Sequence, residues 1–174
     1  MKTNLLTLSI CLAAGVTAMA ATNEEGGFKL LNNLRTTASV ATTHATGLEA
    51  IAATPSISWQ SNAYQLDRLK GDINKMGVAL AALEKMRDSL TPAEREEVDQ
   101  SAPLLKQMAT DTTSAIRYIK NVQGEIWRPS YQKSVEDLAT VSGRLSHSLK
   151  EFVELTRVHE KEAHLQKDLG AAGF

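Results

Sequence analysis

The chain has 174 residues, 43% of them hydrophobic and 22% charged, with 19 cationic against 20 anionic side chains, one Cys and four Pro. That composition excludes collagen-like, low-complexity and disulfide-built classes, and the length suits one domain with its own core. Cations and anions alternate along the sequence with no basic stripe, which disfavours nucleic-acid binding.

At the N-terminus, Lys2 precedes a mostly apolar stretch from Leu5 to Val16, and Ala18-Met19-Ala20 places small residues where a signal peptidase reads. The pattern predicts a cleavable signal peptide over residues 1–20 and an exported chain, periplasmic or extracellular. The apolar stretch falls short of the roughly 20 residues a spanning helix needs. Ile10, where a small residue is wanted, speaks against lipidation at Cys11. Cleavage would remove Lys2 and Cys11 and leave residues 21–174 as a cysteine-free domain with 18 cations against 20 anions. Such a domain depends on packing alone.

Four helices are predicted next, over about residues 26–53, 56–90, 92–127 and 129–169, from apolar residues recurring in three- and four-residue steps. The first reads Phe28, Leu31, Leu34, Ala38, Ala41, Ala45, Leu48 and Ile51. Its alanine lining and its threonines predict the least stable of the four. The second carries a heptad seam of Leu66, Leu69, Ile73, Met76, Leu80, Leu83 and Leu90. The third reads Val98, Leu105, Met108, Ala115, Ile119, Val122 and Ile126, and Thr91-Pro92-Ala93-Glu94 gives it a capping box with proline at the first helical position. Pro103 breaks the pattern, predicting either a kink or a separate short helix over residues 92–101. The fourth reads Tyr131, Val135, Leu138, Leu145, Leu149, Phe152 and Leu155.

Pro55, Pro92 and Pro129 are spaced 37 residues apart, which is close to a tetratricopeptide period. Each segment nevertheless reads as one helix, and the signature residues of that repeat are missing. The expected fold is therefore all-α, an up-down-up-down four-helix bundle with long helices, a kink or break near Pro103 and a C-terminal helical overhang. The antiparallel register predicts that Trp59, Trp127 and Tyr131 close one end as an aromatic plug. At the other end residues 158–169 extend past the bundle by roughly 17 Å. There Val158, Leu165 and Leu169 prolong an apolar line from Leu155 that could dock on a partner protein, a second subunit or the residue 92–103 arm.

Metal and cofactor chemistry finds partial motifs. Glu160 and His164 are four residues apart on one face, which suits a divalent ion, while His159 diverges from them. Alanine stands at position 163, where the zinc-protease motif needs histidine. No histidine follows a glutamate by three residues, so a carboxylate di-iron site is absent, and a cysteine-free domain cannot attach haem covalently. His147 points away from the seam that holds Met76 and Met108, which argues against a non-covalent haem. His44 sits at the edge of the first helix's stripe, where a half-buried, hydrogen-bonded role is favoured over ligation. No nucleophile elbow or phosphate loop occurs, so no enzyme is expected and no cofactor is required.

The stretch Ser89-Leu90-Thr91-Pro92-Ala93-Glu94-Arg95 resembles the Leu-Thr-x-x-Gln signature of the Spy/CpxP type of periplasmic helical chaperones, with Glu94 where that family has Gln. It covers seven residues and has no second copy. What it implies is an exported helical binding protein. The expectation that follows is a non-enzymatic bundle that binds a protein or an envelope component. The alternative is a metal- or cofactor-binding bundle using His44 or the Glu160/His164 pair.

Overall fold

The computed structural model describes residues 14–54, 56–122 and 125–171, and the side chains of residues 26–54, 56–122 and 125–170. Most of the expected signal segment, with Lys2 and Cys11, lies outside the described residues, as does Pro55. Among the described residues no helix is long and apolar enough to cross a membrane.

Four helices form: α1 Ala14–Ala52, α2 Trp59–Lys85, α3 Pro92–Asn121 and α4 Pro129–Ala171, with a single 3-10 turn Arg87–Ser89 between α2 and α3. They pack antiparallel in a ring, α1 on α2, α2 on α3, α3 on α4 and α4 back on α1. The result is an all-α four-helix bundle.

Local chemistry sets the boundaries. α2 starts at Trp59 because the Ser58 hydroxyl caps it, accepting from the Ser61 N–H. α3 starts at Pro92 with the capping box complete: the Thr91 hydroxyl accepts from the Glu94 N–H at 3.2 Å, and the Glu94 carboxylate accepts from the Thr91 N–H at 2.8 Å. α1 closes on this turn at Gly27, where a Cβ would lie 2.6 Å from Leu90 Cδ2 and 2.8 Å from Glu94 Oε1. A side chain there would have to push the ends of the Leu90 and Glu94 side chains aside, and Glu94 is the carboxylate of the capping box. α3 ends at Asn121 instead of near 127, so that Ile126 and Trp127 belong to the connecting turn.

Pro103 does not break α3, which runs without interruption from Pro92 to Asn121. A separate helix over 92–101 does not form, and the reason is phase. Glu94, Val98, Ser101, Leu105, Met108, Thr112, Ala115 and Ile119 are all buried and follow one another in steps of four and three on both sides of the proline. Pro103 itself is exposed, and its missing N–H removes one intrahelical bond, the one to the Asp99 carbonyl, without ending the helix.

The core follows the seams. Leu31, Leu34, Ala38, Ala41, Ala45 and Leu48 of α1 meet Leu66, Leu69, Ile73, Met76 and Leu83 of α2, with Val98, Leu105, Met108, Ala115 and Ile119 of α3 and Val135, Leu138, Leu145 and Leu149 of α4. Each fully buried Leu or Met contributes about 1.5–3 kcal/mol relative to exposure. The alanines of α1 let its neighbours come close but supply less apolar area.

Polar groups cross the seams where apolar periodicity gives no warning. Thr42 of α1 donates to the Ser142 carbonyl of α4 at 3.0 Å, as well as to Ala38 of its own helix. His44 Nδ1 lies 2.7 Å from Asp72 Oδ2, with 13% and 6% of the side chains exposed, and Lys75 reaches the other Asp72 oxygen at 3.1 Å. His44 is thus the hydrogen-bonded, nearly buried residue that its place on the stripe implies. His44→Ala would leave a buried carboxylate with one solvent-exposed lysine, and a loss of about 2 kcal/mol is expected in urea unfolding at neutral pH.

The end of the bundle formed by the α1–α2 and α3–α4 connections is closed differently from the expected plug. Tyr131 is 1% exposed and stacks on Tyr118 with ring centroids 5.3 Å apart. Its hydroxyl donates across the bundle diagonal to Asn62 Oδ1 at 3.1 Å. Trp59 packs at the margin of the core, whereas Trp127 is 61% exposed and takes no part in closing the end. The compact phenol pair fills the space, and the wider indole is left on the turn.

Candidate functional site: the projecting end of α4

Cross-helix bonds fix how far each helix reaches. Thr42 meets Ser142, and the Ser148 hydroxyl donates to both carboxylate oxygens of Glu97, at 3.1 and 3.2 Å. By the second pairing, the start of α3 at Pro92 is level with about residue 153 of α4, the last fully buried position of that helix. α4 continues to Ala171, and every residue from Arg157 to Gly170 is exposed. The free length is about 20 Å. α1 also extends at this end, over residues 14–25, the stretch in which the expected cleavage site lies.

The face that the arm presents is set by the bundle register. The core positions Leu145 and Phe152 are followed at seven-residue steps by His159 and Gln166, and Leu149 and Thr156 by Ala163 and Gly170. The core stripe of α4 therefore fades beyond the level at which α3 starts. The exposed apolar residues belong to another line. Seven-residue steps lead from Val141, which is buried, to Ser148, which bonds Glu97 of α3, and then to Leu155, Glu162 and Leu169. With Val158 and Leu165 they form a seam of steps three, four, three, four. Leu155, Val158, Leu165 and Leu169 are 57, 49, 62 and 60% exposed. Leu155 is thus not a core residue, and the row does not continue the core stripe: it is the α3-facing flank of α4, carried beyond the place where α3 begins.

The metal candidates lie on the same arm. His159, Glu160 and His164 are all exposed, and His159 occupies the fading core stripe. Among the described residues no group of three or more His, Cys, Asp or Glu is placed to hold a metal ion. His147 is 71% exposed and pairs with Glu151 at 3.1 Å, facing out of the bundle.

At the root of the arm, Glu97 is 6% exposed and held by the hydroxyls of Ser148 and Ser101, with no cation paired to it among the described residues. Beside it lies a shallow open cleft of about 450 Å³ lined by Gln100, Pro103, Leu104, Gln107, Arg144 and Ser148. Burial pushes the Glu97 carboxyl above the ordinary carboxylate range; the hydroxyl bonds oppose this, and nearby Glu96 adds to it. The folded state then holds this proton more tightly than the unfolded chain. Stability from this group rises as pH falls through the raised value and is complete below the ordinary one. Glu97→Gln is accordingly expected to raise the urea midpoint at pH 7, with the advantage disappearing in acid.

Helix length and residue spacing predict the arm and its leucines but not the Ser148–Glu97 bond or the flank that the row continues. The available signal was the exact seven-residue spacing from Val141 to Leu169. Comparison with protein-family models, with curated proteins and with solved structures found no match.

Proposed function

We propose that the chain is exported and works as a non-enzymatic scaffold, in which the four-helix bundle holds the projecting end of α4 for contact with another protein. One observation carries the reading: the exposed row Leu155, Val158, Leu165 and Leu169 extends the α3-facing flank of α4 past the start of α3. Among the described residues, the flank that receives α3 along the bundle is left there without a helix. Apolar seams of this spacing are read by amphipathic helices, which lay their own apolar stripe along them. Export is supported by the charged start, apolar run and Ala18-Met19-Ala20 of the N-terminus.

The test is a photo-crosslinking residue placed at Leu165, with Lys106 on the bundle's exposed surface as control, in cells that make the protein. A discrete protein adduct at 165 and none at 106, on a chain beginning at Ala21, is the expected result. No adduct at 165, or equal adducts at both positions, would contradict the proposed contact, and a chain retained inside the cell with residues 1–20 intact would contradict export.

A further inference from the structure

We infer that the partner of the α4 arm is a second copy of this chain, paired antiparallel along the exposed row. The inference rests on reading that row as a contact surface, and charge and length select the arrangement. Lys161 and Asp168 flank the seam on one side, each one position before Glu162 and Leu169, and His159 and Gln166 flank it on the other.

Three registers can be compared. A parallel pair sets Glu162 against Glu162 of the second copy inside the seam, where two carboxylates repel at close range. An antiparallel pair with Leu155 level with Leu165 of the second copy brings Lys161 against Lys161 and Glu154 against Asp168. Shifting that pair by one heptad removes every like-charge pairing. Val158 then lies level with Leu169 of the second copy and Leu165 level with Glu162, while Lys161 comes opposite Asp168 twice, once on each side of the two-fold axis.

This favoured register also aligns Arg157 with Gly170 of the second copy, so the two exposed stretches overlap along their whole length. In this register the two bundles stand at opposite ends of the contact. Each second-copy helix occupies the line that α3 leaves vacant. The contact is two heptads long with Glu162 interrupting it, which places it at the low end of specific interface size, below about 1,200 Å². A concentration-dependent equilibrium between one and two copies follows, not an obligate dimer.

Sedimentation equilibrium of the purified chain over two orders of magnitude in concentration tests this, with circular dichroism to show that each variant is folded. Self-association is expected, weakened about tenfold by Lys161→Glu or Asp168→Lys and restored by the two together, because the swapped charges face each other again. Leu165→Glu is expected to give a monomer at every concentration. Single reversals without effect, or a double variant that stays as weak as the singles, would overturn the antiparallel register. A chain that is monomeric throughout would overturn the inference itself. The contact reading would survive that last result if Leu165 still forms an adduct with a different protein, and would fall with it if no adduct forms.

Discussion

Tyr131→Ala is expected to lower the stability of the bundle by about 4 kcal/mol, the largest effect of any single substitution proposed for this chain. Tyr131 is 1% exposed, stacks on Tyr118 and spans the diagonal to Asn62. Asn62 is wholly buried and passes the chain of bonds on, its amide donating to the Ser58 carbonyl at 3.3 Å next to the cap of α2. Removing the ring therefore opens a cavity between four helices and strands a buried acceptor. Burial first, and then the neighbouring Tyr118, holds the Tyr131 hydroxyl far above the ordinary phenol range, so it is a donor at neutral pH. Tyr131→Phe separates the two losses. It keeps the stacking but leaves Asn62 Oδ1 unpaired, at an expected cost of about 1–3 kcal/mol. Urea unfolding followed by circular dichroism measures both. Equal losses for the two variants would mean that the bond and not the packing closes this end.

Removing residues 158–174 is expected to have the opposite profile, a stability change within about 0.5 kcal/mol and a loss of protein contact of at least tenfold. The exposed arm contributes almost nothing to the core, because the core stripe of α4 passes into His159, Ala163, Gln166 and Gly170. A helical extension without packing is marginal by itself. Its persistence beyond the bundle reflects the folded helix from which it propagates, while its apolar row has value only when covered. Thermal unfolding and crosslinking of the shortened chain read the two effects separately.

Much of the bundle could be read from residue spacing. The steps through Leu66, Leu69, Ile73 and Met76 mark a buried seam, and Thr91-Pro92-Ala93-Glu94 marks a helix start whose bonds are all present. What escaped was polar. Asn62 lies in phase with Leu66 and Leu69, and Ser101 and Thr112 lie in phase with Leu105 and Met108, but a search for apolar periodicity passes over them. Counting those residues as seam members would have shown that α3 keeps its phase across Pro103, and that the helix must continue. Trp127 stays outside the plug for a related reason: helix register places residues along the axis but does not say which side of a turn faces inward. The arm follows from helix length, but the exposure of Leu155 does not, because a single four-three pattern does not reveal that the buried stripe and the exposed row are different lines on one helix.

The division of α4 near Arg157 into a packed helix and a free arm is tested most directly by amide hydrogen exchange, measured along α4 in dilute and in concentrated protein. In dilute protein the amides from about residue 133 to 153 should be protected by the stability of the whole bundle, and those from 157 to 170 should exchange by local fraying. Concentration should protect the second group alone, as two arms cover each other. Protection that runs undiminished through residue 170 in dilute protein would contradict the division and show that the arm belongs to the bundle.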